Sequence, residues 1–154
     1  MGKIRRAVRE DVSEIVRLLA DDPLGAKRER FETPLLQGYY DAFEAIDRDD
    51  NQELVVMEDN GELIGTLQLT ILPYLTYEGG TRGLIEAVRI AAGRRGGGLG
   101  MQLIEWAIGR CRERGCRVVQ LTTDKKRAGA VEFYQKLGFK ATHGGMKLHL
   151  EGSQ

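Results

Sequence analysis

Arg94-Arg95-Gly96-Gly97-Gly98-Leu99-Gly100 sets four glycines and two arginines in seven residues, between a run of strand character and a run of helix character. Glycines let backbone N–H groups turn into one small space without a Cβ in the way. A helix N-terminus just beyond adds N–H donors with no intrahelical acceptor and a partial positive charge. Such a combination holds phosphate; the plain alternative is a tight turn with no ligand. A Walker A loop needs Lys-Ser/Thr after its last glycine, and Leu99-Gly100 stands after Gly98 instead. A dinucleotide fingerprint needs G-x-G-x-x-G. Gly98 and Gly100 supply its first two positions but Leu103 occupies the third, and starting from Gly96 and Gly98 leaves Met101 there. Asp124 would have to serve as the ribose-binding acid, and the long hairpin upstream does not suit that unit. The pattern that fits throughout is R/Q-x-x-G-x-G/A, over Arg95 to Gly100.

Two further features carry chemistry. Glu86 is a carboxylate within the apolar run Leu84-Ile85-Glu86-Ala87-Val88, and either has a task there or faces solvent or a cation such as Arg89. Downstream, Ala130-Val131-Glu132-Phe133-Tyr134-Gln135-Lys136-Leu137-Gly138-Phe139 reads A-x-x-F-Y-x-x-x-G-F and brings a phenol beside a core aromatic.

The elements that must position these residues follow from periodicity. Ile4–Val8 reads as a strand. Val12, Ile15, Val16 and Leu19 repeat at helical spacing, giving a helix over 10–20. Asp21–Glu32 reads as a loop. Thr33-Pro34 reads as an N-cap and first helical proline, opening a helix to about Arg48 that buries Leu36, Tyr40, Phe43 and part of Ile46. Leu54–Glu58 and Leu63–Leu72 form a hairpin, because Asn60-Gly61 tolerates the positive φ of a type I′ turn. Leu63, Leu67, Leu69 and Ile71 are expected on one face. A strand over Leu84–Ala91, a helix over Leu99–Arg114 stopped by Gly115, and a strand over Val118–Thr123 come next. Ala130, Phe133, Tyr134 and Leu137 mark a last helix ended by Gly138, and Phe139–Thr142 and Met146–Leu150 read as two closing strands. No repeat or linker interrupts the 154 residues, so a single α/β domain over 1–154 is expected.

Composition excludes several classes. With 23 basic and 23 acidic residues the net charge is zero, so no nucleic-acid partner is expected from bulk charge, and an anionic ligand needs local cations. No run approaches the roughly 20 apolar residues of a membrane span. The charged stretch Met1–Glu10 does not read as a secretory leader. Two cysteines, Cys111 and Cys116, read as free thiols of a cytoplasmic protein, and two histidines near the C-terminus, His143 and His149, do not make a metal site.

The two motifs together, in this order and at this separation, resemble the GNAT N-acetyltransferase superfamily, across about residues 3–150 and most strongly from Leu84 to Phe139. The resemblance implies the GNAT acyl-CoA N-acyltransferase fold of a small bacterial acetyltransferase. That fold is α/β, with a mixed, mostly antiparallel sheet of about seven strands, about four helices and a splayed central strand pair. It implies acetyl-CoA as co-substrate, no metal, and transfer of the acetyl group to a primary amine by direct attack in a ternary complex. Coenzyme A would lie between the strands at Leu84–Ala91 and Val118–Thr123. Its pantetheine arm would pair with main chain at Val88, Arg89 and Ile90. Its pyrophosphate would rest on amides of Arg95, Gly96, Gly97, Gly98, Leu99, Gly100 and Met101. Arg94 adds charge, and Lys125 and Lys126 either reach the nucleotide end or face solvent. Arg127 stands where the family often places an asparagine that touches the cofactor, which puts that contact in question.

Acetyl transfer requires a neutral amine, a polarised thioester carbonyl and a protonated leaving thiolate. A lysine-like amine is neutral in about one molecule in 2,500 at pH 7, equivalent to roughly 4.6 kcal/mol. A general base supplies part of that, and Glu86, on the strand from which family bases often arise, is the candidate, with water as the alternative. A backbone N–H at Val88 or Ile90 is the candidate donor to the carbonyl. Tyr134 matches the family tyrosine near the sulfur, where a phenol of pKa about 10 can protonate the thiolate; the alternative is core filling beside Phe133. Gln68, Thr70, Asp124 and Tyr74 are further residues for the acceptor side. In the family the acceptor is usually bound by segments that here span 21–40 and 73–82, with Asp21, Asp22, Arg28, Arg30, Tyr39, Tyr40, Tyr74 and Tyr77. That mixture does not choose between an amino acid, a polyamine, an aminoglycoside, an antibiotic-like amine and a protein N-terminus; the short, compact chain favours a small molecule. Acetylation of a protein N-terminus or lysine, and a non-catalytic acyl-CoA sensor, are the alternatives. A homodimer is a further expectation from the family.

Overall fold

A computed structural model describes residues 2–151. The chain divides into two compact units, Met1–Gln120 and Leu121–Gln154.

The first unit is built on a sheet whose strand order follows the sequence, β1-β2-β3-β4-β5. Strands β1 (Lys3–Arg6), β2 (Gln52–Asp59), β3 (Glu62–Leu72) and β4 (Arg82–Ile90) pair antiparallel in succession, β1 with β2, β2 with β3 and β3 with β4. β5 (Val118–Leu121) lies beyond β4. Between β2 and β3 the turn is the expected one, with φ of 51° at Asn60 and 78° at Gly61. Helices α1 (Val12–Ala20), α2 (Gly25–Arg28) and α3 (Gln37–Asp47) separate β1 from β2. A short turn, α4 (Thr76–Gly79), is left-handed at Tyr77 and Glu78. The long helix α5 (Leu99–Glu113) joins β4 to β5 and stops at Gly115, whose φ is 74°.

Alternation along the strands puts different residues on the two faces. Val56 and Leu54 pack with Val12, Ile15 and Val16 of α1 and Phe43 of α3. The opposite face carries Glu53, Gly65, Leu69, Gly83 and Ile85 toward α5, where Leu103, Ile104, Ala107 and Cys111 are buried. Gly83 is required by this approach: a Cβ there would stand 2.2 Å from Cys111 Sγ. Glu53 is buried on that side and accepts from Arg110 Nε at 2.8 Å and Arg114 at 3.3 Å, so its charge is compensated.

Three sequence expectations change here. Pro34 does not open a helix: the Thr33–Pro34 peptide is cis, α3 begins at Gln37, and Leu36 is its exposed N-cap while Leu35 packs on the core. Leu63 leaves the face of Leu67, Leu69 and Ile71. The ladder shifts between Met57/Gly65 and Glu58/Leu63, so Ile64 is an extra residue that turns Leu63 to the α1 side. The third lies in the second unit. There α6 (Ala130–Lys136) forms as expected and ends before Gly138, but Phe139–Thr142 and Met146–Leu150 are not strands. Among the described residues the sheet therefore has five strands, not about seven.

Candidate functional site

Glu86 faces Gln68 across the β3–β4 ladder, and the register then shifts: Thr66 faces Arg89, so Ala87 and Val88 together oppose Leu67. Ala87 absorbs the extra residue with a φ of 56°. A non-glycine residue in that region costs about 1–3 kcal/mol and persists where its surroundings over-determine it, commonly at functional sites. The bulge turns the main chain of Ala87 and Val88 out of the regular ladder, which is how a strand presents a backbone donor to something other than its neighbour.

On the α1 and α3 side of this bulge lies an apolar cavity of about 160 Å³, lined by residues that include Val16, Tyr39, Phe43, Thr66, Gln68 and Ala87. Beside it the same sheet face carries a polar row. Gln68 Nε2 donates to Gln52 Oε1 at 2.9 Å, and the Thr70 hydroxyl donates to the same oxygen at 3.0 Å. Glu86, opposite Gln68, is exposed. It does not take Arg89 as its partner: Arg89 lies 3.7 Å from Asp22 Oδ2 and donates to Val88 O at 2.9 Å.

At its start β4 runs beside β5. Arg117 N–H donates to Thr81 O at 2.8 Å, and Arg82 donates to Gln120 Oε1 at 3.2 Å. β5 has four residues and β4 nine, so β5 faces at most the first half of β4. Val88, Arg89 and Ile90 belong to the second half. Of their carbonyls, Val88 O accepts from Arg89 and Ile90 O accepts from Arg95 Nε at 3.1 Å, each leaving a lone pair for another donor.

β4 leads through a 3-10 turn at Ala92–Arg94 into the glycine loop. Gly96 and Gly98 take φ of 85° and 82°, a conformation that side chains rarely adopt. A Cβ at either would meet no heavy atom within 4 Å, so the loop faces open space. Gly98 caps α5 without a side-chain acceptor, and the first turn of the helix holds no acidic residue. The first N–H groups of α5, from Leu99 through Met101, therefore have no intrahelical acceptor and no competing carboxylate. Leu99 is buried and anchors the helix, whereas Met101 is exposed. The arginines are partly committed: Arg94 binds Asp59, holding that carboxyl below its usual range, and Arg95 also donates to Asp21 O at 3.4 Å. The loop fits a pyrophosphate by its open space, its donors and its charge.

The segment 21–40 is held by Tyr39, whose hydroxyl donates to Glu29 Oε1 at 2.9 Å and accepts from Arg30 N at 3.0 Å. Burial raises its pKa, so it stays a neutral phenol. In the segment 73–82 the Arg82 guanidinium lies 4.5 Å from the Tyr74 ring centre and 5.1 Å from that of Tyr77.

In the second unit, Asp124 organises a turn by accepting from Lys126 N at 2.9 Å through its side chain and from Arg127 N at 3.0 Å through its carbonyl. Tyr134 on α6 stands edge-to-face with Phe133 and Phe139, at centroid distances of 5.1 and 5.8 Å. Its ring is thus fixed on two sides. Lys125 and Lys126 are exposed.

Sequence reasoning missed the bulge at Ala87, because alanine carries no signal for positive φ. It also missed Gln52, which only the register places beside Gln68 and Thr70.

The chain belongs to the acetyltransferase (GNAT) family, whose model matches residues 14–139. The match runs across both units. An aminoalkylphosphonate N-acetyltransferase of Salmonella typhimurium is 28% identical over 92% of this chain and 86% of its own length. A glucosamine 6-phosphate N-acetyltransferase of Trypanosoma brucei brucei is 37% identical over 60% of this chain and 61% of its own. The crystal structure of a transcriptional regulator from Bacillus halodurans C-125 is 51% identical, covers 97% of this chain and 100% of its own, and superposes with a TM-score of 0.96. The protein is accordingly an acetyltransferase. Among the described residues no group of three or more His, Cys, Asp or Glu is placed to hold a metal. No helix among them is long and apolar enough to cross a membrane.

Proposed function

We propose that this protein transfers an acetyl group from acetyl-CoA to the primary amine of a small molecule, by direct attack with both bound. The observation that carries the reading is the bulge at Ala87, which sets a freed stretch of β4 main chain between a carboxylate and an open glycine loop.

Arg95 to Met101 would hold the pyrophosphate, with Arg127 as a further contact, and Val88, Arg89 and Ile90 the pantetheine arm. The acetyl thioester supplies the activated acyl group. The N–H of Val88, displaced from the ladder by the bulge, is the donor to a developing oxyanion, worth about 3–4 kcal/mol where such donors have been removed. Glu86 accepts the amine proton at a carboxylate oxygen, directly or through one water, because it is exposed beside the bulge and faces no cation across the ladder. The Tyr134 hydroxyl gives a proton to the departing sulfur. The acceptor lies over the row of Gln68 and Thr70, bounded by the segments 21–40 and 73–82. The Salmonella typhimurium and Trypanosoma brucei brucei relatives are each named for an amine bearing a phosphorus oxyanion, which makes that class the first to test. The two units act as one domain over residues 1–154. With its free thiols Cys111 and Cys116, the chain suits a cytoplasmic setting.

The test is thiol release from acetyl-CoA against a panel of aminoalkylphosphonates, amino sugar phosphates, polyamines and peptide amines. Turnover with a small amine supports the reading. Turnover with peptides alone would replace it by protein acetylation. A second role, regulation through the same acyl-CoA site, is favoured by the name of the Bacillus halodurans relative. Tight acetyl-CoA binding with no thiol release from any amine would favour that role over catalysis.

A further inference from the structure

The cavity beside the bulge is larger than an acetyl group needs. It measures about 160 Å³. A dry apolar cavity of roughly 150 Å³ takes a six-carbon ring such as benzene. An acetyl group carries a single methyl beyond its carbonyl carbon and would leave most of such a space unfilled.

The lining decides what fills the rest. Val16 and Leu19 come from α1, Phe43 and Ile46 from α3, and Leu54 and Ala87 from the sheet. Among the described residues none that lines the cavity carries a charge. Its polar side chains each donate to a protein acceptor already: Tyr39 to Glu29 Oε1, the Thr66 hydroxyl to Val55 O at 2.9 Å, and Gln68 Nε2 to Gln52 Oε1. An ammonium or a phosphonate entering here would leave water without meeting a counter-charge, which is costly. A hydrocarbon chain has no such cost and gains about fourfold in affinity for each methylene it buries. Glu86 and Thr70, which face the amine, are not part of the lining.

Position points the same way. Ala87 lines the cavity and immediately precedes Val88, whose N–H is the donor to the thioester oxygen in the reading above. A chain on that carbonyl carbon therefore starts at the cavity. We propose that the cavity receives the hydrocarbon chain of acyl-CoA thioesters longer than acetyl, up to about six carbons by its volume, and that the protein transfers these acyl groups as well. The inference rests on the acyl-CoA lying along β4 as proposed. The bonds are those of acetyl transfer: nitrogen joins the carbonyl carbon, the C–S bond breaks, the amine gives up a proton and the sulfur takes one. The carbons beyond take no part.

Calorimetry with acyl-CoA thioesters of increasing length tests this before any acceptor is known. Affinity is expected to rise from acetyl-CoA through butanoyl-CoA to hexanoyl-CoA, by at least about tenfold across the series. Decanoyl-CoA, whose chain outruns the cavity, is expected to gain nothing further. Ala42 lines the cavity and is exposed, so it stands at the mouth. Ala42→Leu narrows that mouth with a residue that helices accept well. It is expected to abolish the hexanoyl gain and to leave acetyl-CoA affinity as it was. With any amine turned over with acetyl-CoA, hexanoyl-CoA is expected to release thiol too; binding without release would overturn the transfer. Hexanoyl-CoA bound no more tightly than acetyl-CoA would overturn the proposal, give the cavity to an apolar part of the acceptor, and leave acetyl transfer standing. A gain that continues to decanoyl-CoA and survives Ala42→Leu would place the chain outside the cavity and overturn it equally. Failure of every acyl-CoA to bind would instead remove the reading of β4 on which it rests. If Ala42→Leu does not fold, the wild-type series through decanoyl-CoA decides alone.

Discussion

Gln68 on β3 stands opposite Glu86 on β4, and the next residue of β4, Ala87, turns left-handed. A carboxylate, a polar row and a displaced stretch of main chain thereby meet within a few residues of one strand pair. Glycine would take the φ of Ala87 without cost; alanine accepts the strain, and the methyl lines the cavity.

Glu86 as the proton acceptor predicts that Glu86→Gln lowers kcat by roughly 100-fold while leaving acetyl-CoA affinity nearly unchanged. Steady-state kinetics and calorimetry check this. A variant with wild-type kcat would return the role to water.

Tyr134 as the donor to sulfur predicts that Tyr134→Phe lowers kcat by at least about 10-fold with acetyl-CoA affinity nearly unchanged. Both edge-to-face contacts survive the loss of the hydroxyl. Pre-steady-state thiol release and calorimetry separate the two effects. Equal turnover would leave Tyr134 a packing residue.

The approach of α5 to β4 predicts that Gly83→Ala destabilises the fold by about 1–3 kcal/mol, because Cys111 is buried and has nowhere to retreat. Denaturant titration measures it. Burial pushes the Cys111 thiol up to about 12, so the residue is inert packing at neutral pH.

Arg5 donates to both carboxylate oxygens of Asp11, at 2.7 and 3.0 Å, and holds that carboxyl below its ordinary range. Because the folded pKa lies below the unfolded one, the stabilisation is complete above about pH 4 and fades as pH falls through the folded value. Asp11→Asn is expected to cost about 1–2 kcal/mol at neutral pH and to flatten stability below pH 4. Thermal melts from pH 2 to 7 would show an unchanged acid slope if the pair contributes nothing.

Local chemistry made most of the elements that carry the candidate site legible in the sequence. Asn60-Gly61 and Gly115 need positive φ, and the structure gives each one. The loop Arg95–Gly100 and the helix of Tyr134 carry motifs whose spacing survives folding. What stayed hidden depends on partners distant in the chain. The bulges at Ile64 and Ala87 arise from register between strands, and neither residue type announces one. Pro34 has the residue type of a helix start, but α3 begins only at Gln37. Residues 146–150 have the alternation of a strand and form none, because a strand needs an edge to join as well as a pattern.

Calorimetric titration of acetyl-CoA into the wild-type chain and into Gly97→Val tests the central claim most directly. Gly97 is the loop glycine to change, since its φ is not positive and a Cβ there would meet only Arg94 O, at 3.8 Å. The valine methyls then enter the cradle without straining the backbone. The account predicts one acetyl-CoA per wild-type chain, no binding of NAD, and loss of acetyl-CoA binding in a variant of unchanged melting temperature. Equal acetyl-CoA affinity in the folded variant, or none in the wild type, would contradict it.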